Sequence, residues 1–134
     1  MTHEIIDYGQ KPLVIDMNTA TIKNHCYRRA LWTGEKLQAT LMCIPVGENI
    51  NLEVHKEIDQ FIYIVSGMGV SEIGNMKINL PFKSTVYANT GIFIPCGMWH
   101  NITNIGNTDL KLFTIYAPPE HPFGTIEEVK EKKY

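Results

Sequence analysis

The chain has 134 residues and a formal net charge of −2, from 12 Lys and Arg against 14 Asp and Glu. That length suits one domain and leaves no room for a second independent core. The near-balanced charge gives no electrostatic reason to expect a nucleic-acid partner. Hydrophobic residues make up 44%, as in ordinary soluble globular proteins, and no uninterrupted apolar run approaches the roughly 20 residues that span a membrane.

From the N-terminus, MTHEIIDYGQ lacks the basic-then-apolar pattern of a signal peptide, so the expectation is a cytoplasmic protein. KPLVIDM (residues 11–17) reads as an edge strand. NTATIKNHCYRRALW (residues 18–32) reads as the start of a helical turn capped by Asn18 or Thr19. Cys26, Cys43 and Cys96 are widely spaced and form no CxxC pair, which predicts buried apolar thiols in a reducing compartment rather than a zinc knuckle or redox dithiol.

From about Leu37 onward strand-like segments dominate: LQATLMCIPV, FIYIVSGMGV, GIFIP and LKLFTIYA are rich in β-branched and aromatic residues and punctuated by Gly, Pro and Asn. With no long 3.6-residue period and no internal repeat, this predicts an all-β sandwich or barrel. After Ala117, PPEHPFG carries three prolines and is expected to cross the surface as an extended loop. The mixed-charge run from Glu127 to Lys133 reads as a solvated turn or frayed terminus.

The residues that carry chemistry are few. On a strand, positions i and i+2 share a face, so Glu53 and His55 in LEVHKE project together, and His100 follows the PxG turn of PCGMWHNITN. A carboxylate and an imidazole at that spacing, with a second imidazole from a distant strand, form a plausible metal-ligand set. Two polar residues on an exposed strand face would look the same. No nucleophile–base pair is recognisable elsewhere in the chain.

The wider pattern is more specific. Residues 47–67, GENINLEVHKEIDQFIYIVSG, resemble the first motif of the cupin superfamily, with Gly47 and Gly67 at its glycines and His55 at its second histidine. Glu53 stands where the motif has its first histidine, and Gln60 where it has its glutamate. PCGMWHNITN resembles the second motif, PxGxxHxxxN, at Pro95, Gly97, His100 and Asn104, while Asn89 replaces the glycine that usually precedes it. The resemblance implies an all-β, double-stranded β-helix (jelly-roll) barrel over residues 37–117. Residues 1–36 would be an extension packed on that barrel or swapped across a partner, and residues 118–134 a C-terminal loop and tail.

The resemblance also implies one divalent metal ion on Glu53, His55, Gln60 and His100. The usual set is three histidines and one glutamate, so two of four positions depart, but the set keeps one carboxylate and a charge of −1. Two imidazoles, one carboxylate and one amide oxygen suit Mn, Fe, Zn or Ni, and the extra oxygen disfavours zinc. Asp59 is the rival to Gln60, since a one-residue slip reverses the face. The competing expectation is a barrel whose polar mouth no longer binds metal.

NHCYRRALWTG, LEVH…DQF, PxGxWHN and YAPPxHPxGT are similar to segments of small bacterial cupins often labelled mannose-6-phosphate (sugar-phosphate) isomerase-like. That likeness implies a small-molecule substrate and Lewis-acid chemistry of the isomerase or lyase class on a small oxygenated compound. The alternatives are an iron-dependent dioxygenase and a non-enzymatic ligand-binding cupin. Arg28 and Arg29 are candidate contacts for an anionic substrate or plain surface groups. His121 is a candidate cap on the pocket mouth or a solvated loop residue. Covering the open sheet edges predicts a homodimer, with the segment up to Trp32 as the element that crosses over.

Overall fold

The computed structural model describes residues 6–131. One short helix, α1 (Met17–Lys23), precedes nine strands: β1 (Arg28–Thr33), β2 (Gln38–Ile44), β3 (Asp59–Ser66), β4 (Met68–Gly74), β5 (Phe82–Tyr87), β6 (Gly91–Ile94), β7 (Trp99–Asn104), β8 (Leu110–Ala117) and β9 (Ile126–Glu127). They form a six-stranded sheet in the order β6-β3-β8-β2-β1-β9 and a three-stranded sheet in the order β5-β4-β7. All the pairings are antiparallel. This is the double-stranded β-helix barrel that the motifs imply.

Register sets what faces the interior. Gln38, Tyr116 and Gln60 stand opposite one another at one level, Thr40, Thr114 and Ile62 at the next, and Met42, Leu112 and Ile64 below them. The layers therefore run from polar at one end to wholly apolar at the other. Ile62, Ile64, Leu110, Leu112 and Ile102 are buried in one cluster that closes the apolar end, each contributing roughly 1.5–3 kcal/mol by burial. At Gly67 the chain passes from the larger sheet to the smaller. Its φ is 99°, and an added Cβ would lie 2.8 Å from the Asp109 carbonyl oxygen, so only glycine suits the corner.

Asn89, where the motif has glycine, adopts φ 71°. Asparagine is among the few residues that tolerate this left-handed conformation, which explains the departure. Asn104 keeps its motif place for a structural reason. Its side-chain nitrogen donates to the carbonyls of Ile44 (2.8 Å) and Thr108 (2.9 Å), and its oxygen accepts from Gly106 N (2.9 Å).

The N-terminal third departs most from expectation. KPLVIDM forms no strand, and α1 begins one residue before the expected caps, with Asp16 accepting from Thr19 N at 3.0 Å. Leu13, Met17 and Ala20 pack on Leu31, Ala39 and Leu41 on the outer face of the larger sheet. This cover explains why every residue of β2 is buried. RRALWT is strand β1, not helix: its Ala, Leu and Arg are good helix formers, but pairing with β2 on one side and β9 on the other overrides that preference. Strand β5 also lies outside the segments read as strands from sequence. Glu127, expected in a solvated tail, pairs its backbone with Arg28. Of the three cysteines only Cys43 is buried, and Cys96 is exposed.

Candidate metal centre

Glu53 and His100 are brought together by the backbone. The segment after β2 runs along β7 without regular pairing, broken at Asn51, whose φ is 68°. Glu53 N donates to His100 O at 3.0 Å and His100 N to Glu53 O at 2.9 Å. Such a doubly bonded antiparallel pair puts both side chains on one face. His55 follows two residues on, and Gly97 N donates to its carbonyl at 2.8 Å. The Pro95–Met98 turn, with Gly97 at φ 83°, thus holds both arms of the site in place.

Glu53, His55 and His100 each present one ligand atom, and these atoms lie within 4.8 Å of one another. His55 Nε2 is 3.4 Å from Glu53 Oε2. The outward nitrogens are engaged elsewhere: His100 Nδ1 lies 3.1 Å from Met98 O, and His55 Nδ1 lies 3.3 Å from Glu120 Oε2. A carbonyl oxygen only accepts, so His100 Nδ1 carries the hydrogen and Nε2 is left as a lone pair. This is the arrangement by which outer partners orient metal-ligating imidazoles.

Gln60 is buried and faces inward, its Nε2 donating to Thr114 Oγ1 at 2.9 Å. Asp59 points the other way, exposed, with Oδ1 accepting from Cys96 N at 2.9 Å. Of the eight buried side-chain atoms without a hydrogen-bond partner among the described residues, three are His55 Nε2, Gln60 Oε1 and His100 Nε2. Each such atom costs about 1–3 kcal/mol when unsatisfied. Three donor atoms lacking partners, beside a carboxylate, fit a metal ion by number and by chemistry.

The charges are consistent with that use. Burial would raise the Glu53 carboxyl, but His55, Arg28 and His100 outweigh it and hold the group below its ordinary range. Burial lowers His100, with His55 adding to the effect, so this imidazole is kept neutral. His55 is opposed by burial yet raised overall by Glu53 and Glu120. Tyr116, enclosed beneath the cluster, is pushed up to about 12, chiefly by burial.

Sequence reasoning overlooked Gln38 and Glu120. Gln38 is fully buried and uses its whole amide: Nε2 donates to Thr33 Oγ1 (3.0 Å) and His121 O (2.9 Å), while Oε1 accepts from the backbone nitrogens of Glu120 and His121. It fastens the loop after β8 across the mouth and so delivers Glu120 to His55. A polar residue in phase with the inward apolar set of LQATLMCI was the available signal. Glu120, in a proline-rich loop, offered none. Arg28 is buried rather than superficial, its Nη1 2.8 Å from Glu127 Oε1. Among the described residues, the Arg29 side chain donates to the Ile6 carbonyl, at 3.1 Å.

His121 is not a solvated loop residue: its ring lies edge-on to Tyr116 at 5.3 Å, and it is outside the three-residue cluster. Burial above all, with Arg28 adding, lowers it to about 4. Between its ordinary value of about 6.5 and about 4 the unfolded chain takes up a proton that the folded chain refuses. Stability is therefore undiminished by this group above that window and falls as pH drops through it. Urea unfolding at pH 7 and pH 5 should show a smaller acid-side loss in His121→Asn than in the parent. Equal losses would refute this account of His121.

The architecture and the cluster define a double-stranded β-helix barrel with two imidazoles and a carboxylate in its mouth. The chain belongs to the cupin family: the Cupin domain model matches residues 40–116. It is 51% identical over 124 residues to the uncharacterized protein YrkC of Bacillus subtilis, covering 92% of this chain and 67% of that protein. The crystal structure of BH2720 from Bacillus halodurans superposes with a TM-score of 0.91 at 48% identity, covering 92% of this chain and 94% of that one. A conserved protein with a double-stranded β-helix domain from Klebsiella pneumoniae shares the fold at 16% identity and a TM-score of 0.67, with 88% and 100% of the two chains covered. No helix among the described residues is long and apolar enough to cross a membrane.

Proposed function

We propose that this cupin is a metal-dependent enzyme in which Glu53, His55, Gln60 and His100 hold one divalent transition-metal ion. The reading extends to isomerase or lyase chemistry on a small oxygenated substrate of the sugar or carbonyl type. The observation that supports it is the cluster of Glu53, His55 and His100, with His55 Nε2, His100 Nε2 and the Oε1 of the inward-facing Gln60 all buried without a hydrogen-bond partner. Two imidazoles, a carboxylate and an amide oxygen suit Mn(II), Fe(II), Zn(II) or Ni(II), with the oxygens favouring the first two. A bound ion of this kind polarises a carbonyl or hydroxyl oxygen.

The chain's own residues orient the donors. Thr114 fixes the Gln60 amide, Met98 O fixes the His100 tautomer, and Glu120 faces the outer nitrogen of His55. Tyr116 stays protonated at neutral pH, with its value near 12, and forms an uncharged wall.

Elemental analysis of protein purified without added metal tests the reading directly, with about one equivalent of ion per chain expected. Two variants separate the rival ligands. Gln60→Ala should weaken divalent-metal binding by at least about tenfold, as loss of even an outer partner does. Asp59→Ala, which removes only the contact to Cys96 N, should leave affinity within about twofold, since its side chain is outside the cluster. The reverse pattern in a chelator-competition titration would make Asp59 the ligand.

A further inference from the structure

The metal reading leaves Arg28 unused. A guanidinium is rarely buried unless all its donors are matched. Arg28 is only 7% exposed. Its Nη1 is matched by Glu127, and its carbon centre lies 5.3 Å from the Tyr27 ring centroid, yet its Nε is buried with no partner. Register with Met42 turns the side chain into the barrel. There it lines a small cavity together with Glu53, Gln60, Thr114 and Tyr116, with room for about one water-sized group. An ion pair with Glu127 accounts for Nη1 but leaves Nε without a partner, on a side chain that lines the same cavity as Glu53 and Gln60.

An arginine is the side chain best shaped to take a carboxylate. We propose that Arg28 is the anion anchor of this site, taking one carboxylate oxygen of a small carboxylic-acid substrate into this cavity beside the metal-binding cluster.

The proposal rests on the metal reading and narrows its oxygenated substrate to hydroxy- or keto-acids. Glu127 is then a positioning residue that competes with the substrate for the guanidinium.

The probe is glycolate, with ethylene glycol as its uncharged control, followed through the visible bands of Co(II)-loaded protein and the Arg28 Nε–H resonance. Glycolate should perturb both saturably, and ethylene glycol neither. In Arg28→Gln, glycolate affinity should fall about tenfold or more, the scale of a lost charge-assisted contact, while Co(II) affinity holds. Glu127→Gln keeps the guanidinium and removes its competitor, so glycolate should bind several-fold tighter. That gain is one a purely structural ion pair would not produce, and it decides the matter if Arg28→Gln fails to fold. Unchanged glycolate affinity in Arg28→Gln, or no gain in Glu127→Gln, overturns the anchor. If Co(II) does not bind, the metal reading falls, and the resonance alone decides: a saturable shift with glycolate sustains the anion site, and no shift ends it.

Discussion

His100→Ala should lower divalent-metal affinity by more than about 100-fold, because losing a mere outer partner of a ligand already costs 10–100-fold. His100 is the one imidazole supplied by the smaller sheet, on β7, and is 1% exposed. Removing it leaves Glu53, His55 and Gln60, all on the segment from 53 to 60. The fold should survive, since the paired backbone hydrogen bonds between residues 53 and 100 do not need the ring. The expected record is a metal-free protein that unfolds cooperatively. Competition against a chromophoric chelator, with circular dichroism as the folding check, measures both. Full occupancy in folded His100→Ala would remove the metal centre from this chain.

Asn104→Ala should be the most destabilising single change on the second motif, although it lies away from the cluster. Its amide satisfies two carbonyls and one N–H, at 2.8–2.9 Å, inside a site 2% exposed. Deprived of their partner, those three groups cost about 1–3 kcal/mol each. A total of about 3–9 kcal/mol is a large part of the 5–15 kcal/mol that holds a domain together. Asn104→Asp discriminates the cause. It keeps the acceptor for Gly106 N but sets a carboxylate against the Ile44 and Thr108 carbonyls, so it should be no better than alanine. Urea midpoints within about 1 kcal/mol of the parent for either variant would show that water replaces the amide, and the structural reading of this motif residue would fail.

The sequence by itself determined the barrel and three of the clustered residues. Alternation with period two and turn residues at short intervals read as a sandwich or barrel, and the two motif resemblances singled out Glu53, His55 and His100. The structure joins them through an isolated bridge from Glu53 to His100 rather than a regular strand over residues 53–55. The sequence left Gln60 and Asp59 as rivals, because a one-residue slip reverses the face; the register of β3 turns Gln60 inward and Asp59 outward. Period-two reasoning failed in the first third, where Arg28 to Thr33 is built of good helix formers, and the pairing that makes it a strand comes from β2 and from β9 about a hundred residues later. The tertiary structure alone decided which polar side chains serve the site. Gln38 reaches His121, Glu120 reaches His55 and Arg28 reaches Glu127 across separations of more than sixty residues. Local composition does not encode such contacts, because a polar residue becomes buried only when the rest of the chain closes over it.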